Sequence, residues 1–325
     1  MRPPPHPFEE TLSLPACDVD LHFRGFGSLA WSEFWLNPRR LRGSDFLMRW
    51  SQGQWSEERL VEAVNHTNDF FALPYGPSGV APDHDVRDFE LYFERLEKAG
   101  LGQLKRPDLL LFRRQDTPSV DALVADLGGK PELPFTPEDD PRMVRLLSKA
   151  LIAVECENSL WIARQMPDYG VPLTKQRRLG AQPGLKKDAV VPTVILKGDD
   201  LDFLRRWQSQ HGVPLHIWHA FYDLAFGLAF DRAEALISQG LIKPSDQTFQ
   251  APGGATTKKV LYKFYYHYAY ALGELTEPPD LVAAQVVDKN GHILPYVRFQ
   301  GGRMAMAPGV EEVLRSAAST RQEAP

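Results

Sequence analysis

Four short, continuous apolar runs do most to limit what this chain can fold into: LLLF at 109–112, LIAVECE at 151–157, VVPTVIL at 190–196 and VPLHIW at 213–218. Runs of this length, bounded by turn formers or charges, read as buried strands. Stretches with a helical period lie between and before them. Asp83 to Lys98 carries apolar residues at Val86, Phe89, Tyr92, Phe93 and Leu96, the three-four spacing of one buried helix face, and Gly100 and Gly102 stop it. Pro141 to Ala150 and Asp200 to Gln210 predict two more helices. Strands alternating with helices of this length predict an α/β fold, with a mixed central β-sheet flanked by helices.

The rest of the chain is less regular. Residues 1–80 are rich in Trp, Phe and Arg and predict a helical layer or arm, with Trp31, Trp35, Trp50 and Trp55 among Arg39, Arg40, Arg42 and Arg49. Ser56 with Glu57 and Glu58 reads as a helix start, a hydroxyl cap followed by acids at the positive dipole end, and that helix is expected to run to Phe71. Residues 114–140 hold too many turn formers for a long element. The stretch after His219 looks helical to Gly240, a Tyr-rich segment follows at 260–271, and 281–299 resembles a hairpin around Lys289-Asn290-Gly291. A helix is expected from about Gly309. These shifts suggest an arm at 1–80, a core at 81–220 and a helical and hairpin region at 221–325 packed on it, a single compact domain being equally allowed.

Composition closes off several classes. Two cysteines, Cys17 and Cys156, make neither a disulfide framework nor a four-cysteine zinc site. No stretch approaches the roughly 18 to 20 apolar residues of a membrane span, and MRPPPHPFEETL lacks an apolar signal core. An intracellular, cytoplasmic protein is expected. The net charge of −5, from 42 acidic and 37 basic groups, gives no reason by itself to expect a nucleic-acid partner, so the distribution of charge must decide.

Chemistry gathers at strand ends. Pro107-Asp108 opens one strand and Glu155-Cys156-Glu157 closes another. Residues i and i+2 of a strand project from the same face about 6.5 Å apart, so Glu155 and Glu157 point together. Two carboxylates ending an apolar strand are costly to bury unless a cation neutralises them. With Asp108 they form an all-oxygen, hard-ligand cluster suited to Mg²⁺, which can activate water and stabilise charge on a phosphodiester. Pro-Asp recurs at Pro82-Asp83, Pro167-Asp168 and Pro279-Asp280, so the dipeptide alone is uninformative. Only Pro107-Asp108 precedes both an apolar strand and a later Glu-x-Glu strand end. The competing reading makes Asp108 a turn residue and the glutamates solvated charges at a sheet edge.

In these residues the chain resembles the PD-(D/E)XK nuclease superfamily and, within it, the type II restriction endonucleases, the AccI type among them. The likeness rests on Pro107-Asp108 with LLLF, on Glu155-x-Glu157, on the preceding helix, and on the order helix, strand, strand, helix, strand over roughly 83–220. It implies a restriction-endonuclease-like core, Mg²⁺ as cofactor and double-stranded DNA as substrate. It also implies Asp108 and Glu155 as metal ligands. Glu157 stands where the family usually has lysine, a departure some restriction enzymes share, and its role as base or as a further ligand stays open.

A basic stretch follows the glutamates: Arg164, Lys175, Arg177, Arg178, Lys186 and Lys187. Such a patch can hold phosphates, and Lys or Arg can read guanine edges, although a charge run is more often a solvated loop. Lys258, Lys259 and Lys263 among Tyr262, Tyr265, Tyr266, His267, Tyr268 and Tyr270 form a second candidate DNA segment, half of its aromatics expected in the core. Gly25-Phe-Gly27 lacks the strand–helix–strand setting of a dinucleotide site, and His216 and His219 read as ordinary, partly buried histidines. No Walker loop or Gly-x-Ser-x-Gly elbow occurs. The expectation is a type II restriction endonuclease acting as a homodimer on a short palindromic site. Its rivals are a metal-independent carbohydrate hydrolase with paired carboxylates, using the Trp-rich segment as a sugar platform, and a non-catalytic DNA-binding protein.

Overall fold

The structure, a computed structural model, describes residues 44–81, 86–159, 161–173, 189–250, 256–287 and 293–322. Its helices are α1 (Ser44–Asn65), α2 (Pro77–Val80), α3 (Val86–Lys98), α4 (Thr117–Asp126), α5 (Pro141–Lys149), α6 (Gly198–His211), α7 (Phe230–Ser238) and α8 (Val310–Gln322). Its strands are β1 (Phe70–Pro74), β2 (Leu109–Arg113), β3 (Ile152–Asn158), β4 (Thr193–Lys197), β5 (Leu215–Ala220), β6 (Leu224–Ala229), β7 (Ser245–Gln250), β8 (Thr256–Tyr265), β9 (Tyr270–Glu277), β10 (Asp280–Val287), β11 (Ile293–Gln300) and β12 (Arg303–Met306).

Seven strands form one mixed sheet in the order β1-β2-β3-β5-β6-β9-β12. Neighbours in it are antiparallel except β3 and β5, which run parallel. Parallel neighbours require a crossover; here it contains β4 and α6. Side chains alternate across the sheet, so Leu110, Phe112, Ala153, Leu215 and Ile217 face a core built with α4 to α7 and β4. Leu109, Leu111, Ile152, Val154 and Trp218 face the other side, where Leu60, Ala63 and Val64 of α1 and Val310 and Leu314 of α8 cover them. This is the mixed, helix-flanked sheet the apolar runs predict, and it is consistent with a restriction-endonuclease-like core.

Several local readings need correction. Ser56, Glu57 and Glu58 lie inside α1, with Ser56 buried, so there is no free helix end for them to cap. That helix stops at Asn65, because FFALP pairs with β2 as β1, and the Asn65 Oδ1 accepts the Ala72 N–H at 2.9 Å. The 114–140 stretch contains α4 and a 3-10 turn at Lys130–Phe135; Pro118 and Pro131 sit in the first turns of these elements, and Pro134 lies inside the 3-10 turn, which tolerates it. LAFGLA, with good helix formers, is β6, since it has a partner on each side in β5 and β9. VVPTVIL becomes a strand only after Pro192, and it joins β8 and β7 in a separate three-stranded sheet. β10 and β11 pair as the expected hairpin, whose Lys289-Asn290-Gly291 turn lies outside the described residues.

Candidate metal centre

The first carboxylates come from neighbouring strand ends. Leu109 of β2 pairs with Val154 of β3, so Asp108 stands beside the last turn of the β3 zigzag, and its Oδ2 accepts the Cys156 N–H at 2.7 Å. Glu155 and Glu157 alternate with Val154 and Cys156 and project to the face of Ala153. The Asp108 carbonyl is held in turn by the N–H groups of Tyr75 and Gly76, at 2.7 and 3.1 Å. Gly76 is packed so closely there that an added Cβ would lie 3.0 to 3.2 Å from backbone atoms of Arg106, Pro107 and Asp108.

The crossover brings the remaining parts. Lys197 ends β4, and its Nζ lies 2.5 Å from Glu157 Oε1. Three residues on, in the first turn of α6, Asp200 turns in toward the same place. One carboxylate oxygen from each of Glu155, Glu157 and Asp200 lies within 4.8 Å of the others. Lys105, on the connection from α3 to β2, contacts Asp200 Oδ1. Asp200 Oδ2 is buried with no hydrogen-bond partner.

Crowding of negative charge in a site walled by protein controls the protonation. Burial pushes the Asp108 carboxyl up to about 7, opposed by the Cys156 N–H and reinforced by Glu157. Burial, then the charges of Asp108 and Glu157, holds Glu155 well above the usual carboxylate range. Glu157 is raised too, by burial, though the ammonium of Lys197 opposes this. Lys197 itself is raised: burial works against its charge, and Glu157 and Asp200 outweigh it. Carboxylates that ionise reluctantly, around an oxygen with nothing to bond, need positive charge, and an all-oxygen donor set fits a hard divalent cation.

Two further groups adjoin the cluster. Glu57, from α1, is pushed well above its normal range by burial and then by the charges of Asp108 and Glu157. His219 pairs in register with Glu157 and is buried with both ring nitrogens unpartnered; burial lowers it to about 3. His216, on the opposite face, is absorbed structurally, its Nδ1 2.7 Å from the Tyr270 hydroxyl that also accepts the Trp218 indole N–H.

Of the expected site residues, Asp108, Glu155 and Glu157 come together. Lys175, Arg177, Arg178, Lys186 and Lys187 lie outside the described residues, as do Trp31, Trp35 and Gly25-Phe-Gly27. Lys258 and Lys259 are exposed on β8, whereas Arg164 is paired with Glu274 at 2.6 Å. Trp55 is no open platform: it is buried, stacked between Tyr222 and Phe299, with its indole N–H on the Gly301 carbonyl. Asp200, Lys197, Lys105 and Glu57 were not expected. The legible signal for two of them is the Lys197-Gly-Asp-Asp200 sequence, a strand end dense in charge like Glu155-x-Glu157.

Residues 38–138 match the family model for AccI restriction endonuclease, a segment that includes Glu57, Lys105 and Asp108 and stops short of β3. No curated protein and no solved structure matches the chain. Restriction endonucleases generally use a divalent metal, in keeping with the acidic cluster. Over that segment the chain is similar to the AccI restriction endonuclease family, whose name denotes a site-specific deoxyribonuclease.

Proposed function

We propose that the chain is a Mg²⁺-dependent endonuclease that hydrolyses phosphodiester bonds in double-stranded DNA, with its chemistry at the carboxylates of β2, β3 and α6. The observation that carries the proposal is the convergence of Glu155, Glu157 and Asp200 around an unpartnered, buried carboxylate oxygen, with Asp108 alongside. Glu155, Asp200 and Asp108 would hold the metal, Asp108 through the oxygen that Cys156 leaves free. When bound, the ion supplies a Lewis acid for the phosphate and a lowered pKa for water.

The protein's own groups do the positioning. The Cys156 N–H fixes Asp108, and the ammonium of Lys197 fixes Glu157 at 2.5 Å. Glu157, so oriented, aligns the attacking water and accepts its proton as a new P–O bond forms and one ester P–O bond breaks. Burial raises its pKa, which makes its carboxylate a stronger base than an exposed one. The walls formed by β4, β5 and the buried His219 exclude bulk water from the protein side of the site.

The test is incubation of the purified protein with a long DNA and Mg²⁺. Discrete fragments on a gel, abolished by EDTA, are expected. Intact DNA, or cleavage indifferent to EDTA, would overturn the proposal.

A further inference from the structure

The trio of carboxylates already has a cation on it. Lys105 lays its ammonium on Asp200 Oδ1, and the two partners are very unequally placed: the Asp200 side chain is 2% exposed and that of Lys105 is 53% exposed. The other Asp200 oxygen, Oδ2, is buried and unpartnered, so the residue has unused acceptor capacity inside the cluster. The backbone of Lys105 is fixed. Its neighbour Arg106 is buried and donates to the carbonyls of Leu133 and Thr136, each at 2.7 Å, and the preceding turn is closed by Leu104 N–H on the Leu101 carbonyl. Freedom is left only to the four-carbon stem, which reaches in from solvent.

Lys197 differs. It sits on a strand, is less exposed, and is held by Glu157 with Asp200 and Glu155 nearby. Among the described residues Lys105 contacts the Asp200 carboxylate, with Asp108 and Glu157 only within electrostatic range, and more than half of its side chain is open to solvent. A divalent cation that takes Asp200 puts like charge against this ammonium, and the stem has somewhere to go.

Resting on the nuclease reading, we propose that Lys105 is a movable cation: it neutralises Asp200 in the metal-free protein, is expelled from it by the divalent ion, and then binds a phosphate of the DNA backbone at the mouth of the site. Metal and DNA thereby become coupled. Occupation by either raises affinity for the other by the same factor. Nothing is oxidised, reduced or transferred; an ammonium exchanges a carboxylate for a phosphodiester.

The experiment compares the full chain with Lys105→Met, after checking that the two melt alike. Ca²⁺ is titrated calorimetrically without DNA, and binding of a mixed-sequence duplex is followed by anisotropy in Ca²⁺ and in EDTA across a salt series. Without its competing ammonium, Lys105→Met should bind Ca²⁺ about tenfold more tightly. In Ca²⁺ its DNA affinity should fall several-fold, with the log–log salt slope reduced by about one. In an Asp200→Asn background the same replacement should leave Ca²⁺ affinity unchanged. Unchanged or weaker Ca²⁺ binding by Lys105→Met would overturn the proposal. Tighter Ca²⁺ with unaltered DNA affinity and slope would overturn its phosphate half. Failure of the parent chain to bind DNA at all would instead sink the nuclease reading, while the competition for Asp200 would stand or fall on the Ca²⁺ titration alone.

Discussion

Asp108, Glu57, Glu155 and Glu157 ionise less readily than ordinary carboxylates where they stand, chiefly because they are buried, and this sets the pH behaviour. Asp108, raised to about 7, keeps its proton in the folded protein over a range where the unfolded chain has lost it. Its contribution therefore falls as pH rises from about 4 through 7, and Glu57, Glu155 and Glu157 act in the same direction. His216 and His219, lowered to about 4 and about 3, work the opposite way, adding stability as pH rises to about 6.5 and nothing beyond. The two sets offset each other below pH 6.5, and above it the carboxylates prevail. The metal-free protein should lose stability from about pH 6.5 upward, and added Ca²⁺ should restore more of it the higher the pH, read as Tm in EDTA and in Ca²⁺. A flat Ca²⁺ effect would mean that the ion does not displace protons from this site. Glu155→Gln, Asp108→Asn and Asp200→Asn should each lower cleavage by more than the ~10–100-fold typical of losing a supporting contact. DNA binding should persist, since each change removes negative charge facing phosphate; joint loss of binding and cutting in a folded variant would count against the assignment. Asp108, Glu155 and Glu157 are legible in the sequence because they interrupt apolar strands. Asp200 is not, because an acid in the first turn of a helix is the ordinary place for one.

At the scale of elements, the entry to β2 matters most, since it carries both Lys105 and Asp108. Arg106 anchors it from below: its guanidinium binds the Leu133 and Thr136 carbonyls and pairs with Glu138 at 3.2 Å. Glu138 also accepts from the Tyr75 hydroxyl at 2.5 Å and the Trp207 indole at 2.9 Å, with His211 at 3.3 Å, and these partners hold its pKa down to about 2 against burial. Arg106 and Glu138 together tie the end of β1, the 3-10 turn and α6 to the strand entry. Removing the partner of Glu138 leaves charge stranded, so Arg106→Met should cost about 3–5 kcal/mol in denaturant unfolding. Gly76→Ala is the subtler probe: its methyl would press on the Asp108 backbone, and cleavage should fall while the melting temperature moves little. Full cleavage would show that the strand entry tolerates displacement. This network is invisible beforehand, because Arg106 and Glu138 are simply charged residues in a stretch of turn formers. The same limit hides β6: only pairing with β5 and β9 makes LAFGLA a strand.

For the whole molecule, Lys258 and Lys259 are exposed on β8, whose strand is paired to the one ending at Lys197, and on the nuclease reading they are the proposed DNA contacts among the described residues. Lys258→Ala and Lys259→Ala should each reduce the salt slope of duplex binding by about one if they touch phosphates; an unchanged slope would move the interface elsewhere. A homodimer, one centre per strand of a palindrome, is the assembly proposed, and light scattering with cognate DNA should give the mass of two chains plus the duplex. The overall alternation of strands and helices was readable because burial on both faces leaves continuous apolar runs. Which strands join which sheet was not, since β4 has the same apolar character as β3 and β5 yet pairs with β8. The parallel alignment of β3 with β5 also bears on biosynthesis. Asp200 and Lys197 ride on the very crossover that this alignment demands, so they arrive beside Glu155 and Glu157 only when β5 docks. Chains fold from the N-terminus as they emerge, and non-local parallel pairing is slow. A nascent chain is therefore expected to hold these carboxylates as separate, hydrated charges until β5 docks and the cluster closes.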